Sequence, residues 1–231
     1  QCPGPILKMK KTMDSLVSGD RVEITSTDPG FPRDAAAWCN STGNQLISKE
    51  TAGGKSVVVI EKGEPKSCNI VTSCEGKGKT FIMFSDDLDK ALATFVLANG
   101  AAATGQKVTI FFTFWGLNVI KKLHKPNVEK DIFGKMFGMM LPSSSRKLKL
   151  SKMSMGGIGG KMMRYIMNRK GIDSLESLRQ QALENGVEFI ACQMSMDVMG
   201  VKQEELLDEV TIGGVATYME RADNANINLF I

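Results

Sequence analysis

Four runs in the later part of the chain, Thr80–Phe84, Val108–Phe114, Val187–Ala191 and Ile227–Ile231, are short and almost continuously apolar. A strand with one face in water alternates apolar and polar residues; a strand without that alternation must be covered on both faces, as in a parallel sheet. Amphipathic helices lie between these runs. Residues Asp87 to Thr104 set Leu88, Leu92, Phe95 and Val96 on one side. Asp173 with Glu176 forms a capping box ahead of Leu175, Leu178, Ala182 and Leu183, and Gly186 is the stop. Strands alternating with helices predict an α/β unit with an open, mostly parallel sheet. Residues 118–160 fit neither pattern, and a structureless loop of that length would be unusual, so irregular helix is expected there.

The first 62 residues follow a different grammar. Ile6, Met9, Met13, Leu16 and Val17 recur at helical spacing, with Gly19 as the stop. Arg21–Thr27 alternates like a half-buried strand, Pro32 to Asn40 reads as a second helix, and Asn44–Lys49 and Ser56–Glu61 read as strands turning through Gly53-Gly54. A small sheet with two helices on one face is the natural packing. Between the segments, residues 63–78 are polar and aperiodic and read as a linker. The division expected is therefore residues 1–62, a linker over 63–78, and residues 79–231.

Composition narrows the function classes. A net charge of +4 on 231 residues is too small to force a nucleic-acid or membrane role. The longest apolar run, Val108 to Ile120, is broken by Thr113, Gly116 and Asn118 and falls short of the ~20 residues a spanning helix needs. No basic start followed by an apolar segment marks export. Five cysteines without a scaffold spacing point to reduced thiols in a cytoplasmic protein, and the absent initiator Met suggests a piece of a longer polypeptide. No metal site is expected: His124 is the sole histidine, and Cys68 with Cys74 lacks a second close pair. No cofactor is expected either. Met155-Gly156-Gly157-Ile158-Gly159-Gly160-Lys161-Met162 departs from a phosphate loop at Met155 and Met162, and from a dinucleotide fingerprint at Met162, so a flexible flap beside Cys192 is expected instead.

Two thiols stand out. Cys2-Pro3-Gly4-Pro5 precedes a helix, which places Cys2 near unpaired backbone N–H groups and the positive end of the helix dipole, with Lys8, Lys10 and Lys11 adding positive field. Such surroundings favour thiolate over thiol, and would stabilise an anionic persulfide in the same way. Cys192 directly follows the run Val187–Ala191, at the carboxyl end of a strand where α/β sheets gather their chemistry, and a helix begins soon after it. Residues Ser85-Asp86 and Phe114-Trp115-Gly116 end other strands and should face the same crevice. The competing reading is a buried structural thiol at Cys192 and a ragged terminus at Cys2. Cys39 reads as packing on a helix.

Cys2-Pro3-Gly4-Pro5, the basic amphipathic helix after it, Asp28-Pro29 before Arg33-Asp34, and Trp38-Cys39 resemble the TusA/SirA-like sulfur carriers over residues 1–62. The resemblance implies a two-layer βαβαββ fold whose first strand would precede Cys2, and a persulfide on Cys2. Phe114-Trp115-Gly116-Leu117, Met155-Gly156-Gly157, Ala191-Cys192-Gln193-Met194-Ser195-Met196 and Gly213-Gly214-Val215-Ala216-Thr217 followed by Asn226-Ile227-Asn228 resemble the DsrE/DsrF/DsrH-like group, in particular its DsrE2 branch, over residues 79–231. That resemblance implies a flavodoxin-like three-layer domain, homo-oligomerisation and sulfur transfer through Cys192. Both kinds of domain are found attached to rhodaneses and to flavin-dependent pyridine nucleotide-disulfide reductases, which would be partners on the same polypeptide.

The expected function is a sulfur relay, a sulfurtransferase-like carrier holding persulfide on Cys2 and Cys192 and exchanging it with protein donors and acceptors. A thiol–disulfide redox module of a larger reductase, using Cys68 with Cys74 or Cys2 with Cys192, is the alternative, and an oligomeric scaffold with inert thiols is a third. Residues 121–152 hold nine Lys or Arg against Glu129 and Asp131, which suggests docking of an acidic partner or of anionic sulfur species rather than nucleic acid.

Overall fold

A computed structural model describes residues 9, 12–64, 78–103, 106–124, 126, 128–130 and 132–231, without the side chains of residues 41, 103, 132 and 133. The chain packs as two compact units, one from Gln1–Glu75 with Ile212–Asn224 and one from Gly76–Thr211 with Ala225–Ile231.

The first unit is built on an antiparallel sheet of β1 (Arg21–Ser26), β2 (Gln45–Ala52) and β3 (Lys55–Glu61), in the order β1-β3-β2. The turn between β2 and β3 is Gly53-Gly54, both at positive φ (58° and 73°), a two-residue hairpin that other residues would strain. Alternation along β3 buries Ser56, Val58 and Ile60 on one face. Helix α1 (Phe31–Thr42), with Pro32 in its first turn, lays Phe31, Ala35 and Cys39 against Val58 and Ile60 at intervals of four, and Met9 and Met13 complete the core. Three strands of the expected four lie among the described residues; the strand expected before Cys2 falls outside them.

A helix from near the end of the chain belongs to this unit. Helix Val215–Asp223, named α7 in chain order, packs on α1 and brings Ala216 to the core. Gly214, at its N-cap, has no side chain to offer the first-turn N–H groups. Asp34 of α1 does that work from outside the helix: one carboxylate oxygen accepts from the Gly214 N–H at 2.9 Å and the Thr217 hydroxyl at 2.6 Å. Next to it, the Arg33 guanidinium donates to the Ile212 carbonyl at 2.7 Å.

The second unit is a five-stranded sheet in the order β7-β6-β5-β4-β8. Strand β4 (Gly78–Met83) pairs in parallel with β5 (Val108–Phe112) and with β8 (Ala225–Phe230), and β5 pairs in parallel with β6 (Glu188–Cys192); β7 (Thr211–Gly213) lies beside β6. Flanking helices are α2 (Leu88–Ala103), α3 (Ile132–Met140), α4 (Ile158–Arg169), α5 (Leu175–Glu184) and α6 (Gln193–Met199). Phe95, Phe112 and Phe189 form an aromatic cluster between α2 and the central strands, with centroids 5.4–6.4 Å apart. The architecture is the expected α/β class: a small antiparallel unit, and a parallel sheet with flanking helices.

Details differ from expectation. The buried stripe of α2 is Leu88, Ala91, Phe95 and Ala98, and Val96 points to solvent. The cap of α5 is Ser174, whose hydroxyl accepts from the Ser177 N–H at 3.1 Å; Asp173 sits one residue too early and bonds Ser177 and Gln181 side chains instead. Val108–Phe114 ends as a strand at Phe112, because Phe114–Ile120 turns into a 3₁₀ segment. The expected flap is helical: Met155–Gly157 is a 3₁₀ turn and α4 starts at Ile158. Gly159 serves packing, since a Cβ there would collide with the Met153 carbonyl oxygen, whereas Gly156 and Gly157 serve positive φ. Residues 65–77, most of the expected linker, lie outside the described residues.

Burial raises the Asp34 carboxyl above its ordinary value of 3.8, while the Thr217 and Gly214 bonds oppose the rise and Asp28 adds to it. Replacing Asp34 with Ala leaves two buried donors without an acceptor and should cost about 1–3 kcal/mol. Asp34→Asn keeps an oxygen acceptor and should cost less. Because the folded form holds this proton more tightly than the unfolded chain, the group's contribution is full below the ordinary value and is lost as pH rises through the raised one. Urea unfolding should show wild type losing stability relative to Asp34→Asn as pH increases from about 4 toward neutrality.

Candidate sulfur-handling site

In-register parallel pairing aligns Met83, Phe112 and Ala191 across the sheet. The next residues along each strand, Phe84, Thr113 and Cys192, therefore emerge at one level, with neighbouring strands roughly 5 Å apart. Gly116 holds the first two of these ends together. Its N–H donates to the Phe84 and Thr113 carbonyls at 2.8 and 3.0 Å, and a Cβ there would collide with the Met83 carbonyl oxygen. The tight path forces Phe114 to a φ of 47°, a conformation that costs a non-glycine residue of order 1–3 kcal/mol. Contact of the Phe114 ring with Phe84 at 5.4 Å helps to offset that strain.

Trp115 is thereby turned outward to a cavity of about 730 Å³. Asp86, Trp115, Met139, Met140, Lys147 and Lys149 are among its lining groups. Asn118, on the 3₁₀ segment and 0% exposed, donates from its amide nitrogen to Asp86 at 2.9 Å. Burial raises the Asp86 carboxyl above the usual range, with the Asn118 bond opposing the rise. The Asn118 amide oxygen is the buried side-chain polar atom without a hydrogen-bond partner among the described residues.

Cys192 is the last residue of β6 and the N-cap residue of α6, and is 6% exposed. The Thr113 and Ser195 hydroxyls are 2.8 Å apart, fastening the end of β5 to α6 beside it. Asp86 and Trp115 thus meet in one cavity, as expected of strand-end residues, whereas Cys192 is not part of its lining. Cys39 is 1% exposed and sits in the core of the first unit, where burial pushes its thiol up to about 11. Cys2, Cys68 and Cys74 lie outside the described residues.

The sequence reading missed Asn118, Lys147 and Lys149 as site residues. For Asn118 a signal existed: one amide inside the apolar stretch Leu117–Ile120 is costly to bury without a polar task. For the lysines the signal was the excess of cations over residues 121–152, but the folding of residues 141–154 decides which of them reach the cavity.

The model of the DsrE/DsrF/DrsH-like family matches residues 76–230. The chain belongs to that family. Residues 1–62 match the model of the sulfurtransferase TusA, so the polypeptide fuses a TusA domain to a DsrE-like domain. Over 155 residues the chain is 44% identical to the protein YrkE of Bacillus subtilis, covering 67% of this chain and 97% of that one. It is 38% identical over 161 residues to the sulfur carrier protein DsrE2 of Allochromatium vinosum, covering 68% of this chain and 99% of that one. The sulfur carrier protein TusA of the same organism is 41% identical over 61 residues, or 26% of this chain and 80% of that one.

Within this DsrE-like domain the Gly116 crossing is the tightest constraint on the site. Gly116→Ala should lower the thermal unfolding midpoint by several degrees, corresponding to about 1–3 kcal/mol of overpacking. Substitution of Gly156, whose Cβ would meet nothing but whose φ is 68°, should cost less.

Proposed function

We propose that the protein is a sulfur relay that carries persulfide sulfur on Cys2 and Cys192 and passes it between protein thiols. The membership of both segments in sulfur-handling families supports relay as the general role. The placement of Cys192 at the end of β6, level with Phe84 and Thr113 on the carboxyl edge of the sheet, is the observation that carries its assignment. Cys2 takes its role from the Cys2-Pro3-Gly4-Pro5 motif alone.

In each transfer the receiving thiolate attacks the outer sulfur of a donor persulfide. One S–S bond forms, the donor's S–S bond breaks, and its electron pair leaves on the donor thiolate. No net oxidant is needed. Low exposure of Cys192 means that the strand-end loops must shift to admit a partner thiol; between transfers the same cover shields the persulfide from small reductants. Cys39 takes no part, because a buried thiol held near 11 supplies roughly one thiolate in a thousand at pH 8.

Incubation of the full chain with glutathione persulfide should add about 32 Da, one sulfur atom, at each carrier cysteine, as read by peptide mass spectrometry. Cys192→Ser and Cys2→Ser should each remove one adduct, and Cys39→Ser should remove none. Unchanged labelling in both carrier variants would overturn the relay. In the native state iodoacetamide should leave Cys39 unmodified while reaching Cys192 slowly.

A further inference from the structure

Residues 132–172 contain nine Lys or Arg and no Asp or Glu, together with eight of the chain's 15 methionines. Arg164 is paired with Glu176 at 3.2 Å, and the Arg169 guanidinium lies 6.0 Å from the Tyr165 ring centre. The other seven cations, among them Lys147, Lys149, Lys152 and Lys161, are exposed and show no acidic partner among the described residues. The basic residues just upstream behave differently: Lys130 is buried against Glu205 at 2.5 Å and Lys122 pairs with Asp208 at 2.8 Å. Among the described residues of 121–172, the exposed cations without an acidic partner thus lie in the later stretch.

Helix α4 is amphipathic, but its apolar stripe faces outward. It packs inward through Gly159, Gly160 and Met167, leaving Ile158, Met162, Tyr165 and Ile166 exposed at the i, i+4, i+7, i+8 spacing of a helix face meant for burial. On α3, Met139 and Met140 are 88% and 76% exposed, and both line the cavity that Lys147 and Lys149 rim and that Ser154 continues toward α4.

We infer that this methionine- and lysine-rich surface is a docking site for an acidic, amphipathic segment of a partner protein, whose apolar side chains enter the cavity while its carboxylates meet the surrounding lysines. Methionine side chains repack around varied apolar anchors, which suits a surface that receives more than one partner. A second copy is disfavoured by charge: an isologous contact would set the unpaired cations of residues 132–172 against their own copies. A bilayer is disfavoured by shape, since lipid does not fill a 730 Å³ concavity. Single-stranded nucleic acid would need a run of aromatic platforms, and among the described residues of 114–172 only Trp115 and Tyr165 are exposed aromatics.

The test uses the immobilised full chain and a displayed library of random 18-residue peptides. Selected sequences should be acidic, with apolar residues at helical spacing. Their affinity should fall about tenfold in Lys147→Glu/Lys149→Glu and in Met139→Asp, and should weaken with salt. These positions are exposed, and unchanged thermal melting of the variants controls for folding. Binding that persists in Cys2→Ser/Cys192→Ser separates docking from persulfide chemistry. Selection of neutral or basic peptides, or affinities indifferent to the variants, overturns the inference. So does association with phosphatidylglycerol vesicles, or a dimer dissolved by Met162→Asp in sedimentation, when either occurs without peptide selection.

Discussion

Parallel strands cannot be joined by a tight turn; each must return to the starting end of the sheet through a crossover. The pairing of β4, β5 and β6 therefore collects three carboxyl ends at one edge. Part of the candidate site hangs from those ends: Asp86 after β4, Thr113 and Trp115 after β5, Cys192 at the end of β6. Close crossing of the chain at Gly116, against Met83, then turns Trp115 outward, and the strained Phe114 backbone is the cost. A candidate cavity arises as a consequence of how the strands are connected.

The burial of one carboxylate has a comparable reach in the other unit. Asp34 and Arg33 lie on α1, 180 residues before the segment they hold, yet Asp34 supplies the acceptor that the glycine cap of α7 lacks. A carboxylate at a helix start is favourably placed against the helix dipole, but one so deeply buried also meets a desolvation penalty, and its proton affinity rises. The penalty outweighs the hydrogen bonds in setting that proton affinity, but both donors would otherwise be buried without partners. Arg33-Asp34 and Gly213-Gly214-Val215-Ala216-Thr217, two motifs from different family segments, are thus joined in one packing unit.

The surface chemistry divides in the same physical way. Cations near acidic groups, such as Lys130 beside Glu205, are consumed in structure, whereas residues 132–172 contain no acid to meet their cations. No helix among the described residues is long and apolar enough to cross a membrane. The apolar residues left exposed on α3 and α4 therefore stand beside unpaired positive charge, the combination expected of a face that recognises acidic, partly apolar protein surface.

Local pattern was enough to read strand character, helix faces and the glycine turns, because each depends on residues within one or two turns of one another. The uninterrupted apolar runs announced a sheet covered on both faces, and Cys192 at a strand end followed from its position after such a run. Local reading failed where a near tie was broken by distant atoms. Ser174 rather than Asp173 caps α5, and Val96 lies off the buried stripe of α2, since a shift of one residue rotates a helix by about 100°. The partner of Asp34, the cavity beside Trp115, the cover over Cys192 and the outward stripe of α4 belonged to tertiary structure alone. Each depends on which segments meet across scores of residues, and contacts of that kind leave no periodic trace in the chain.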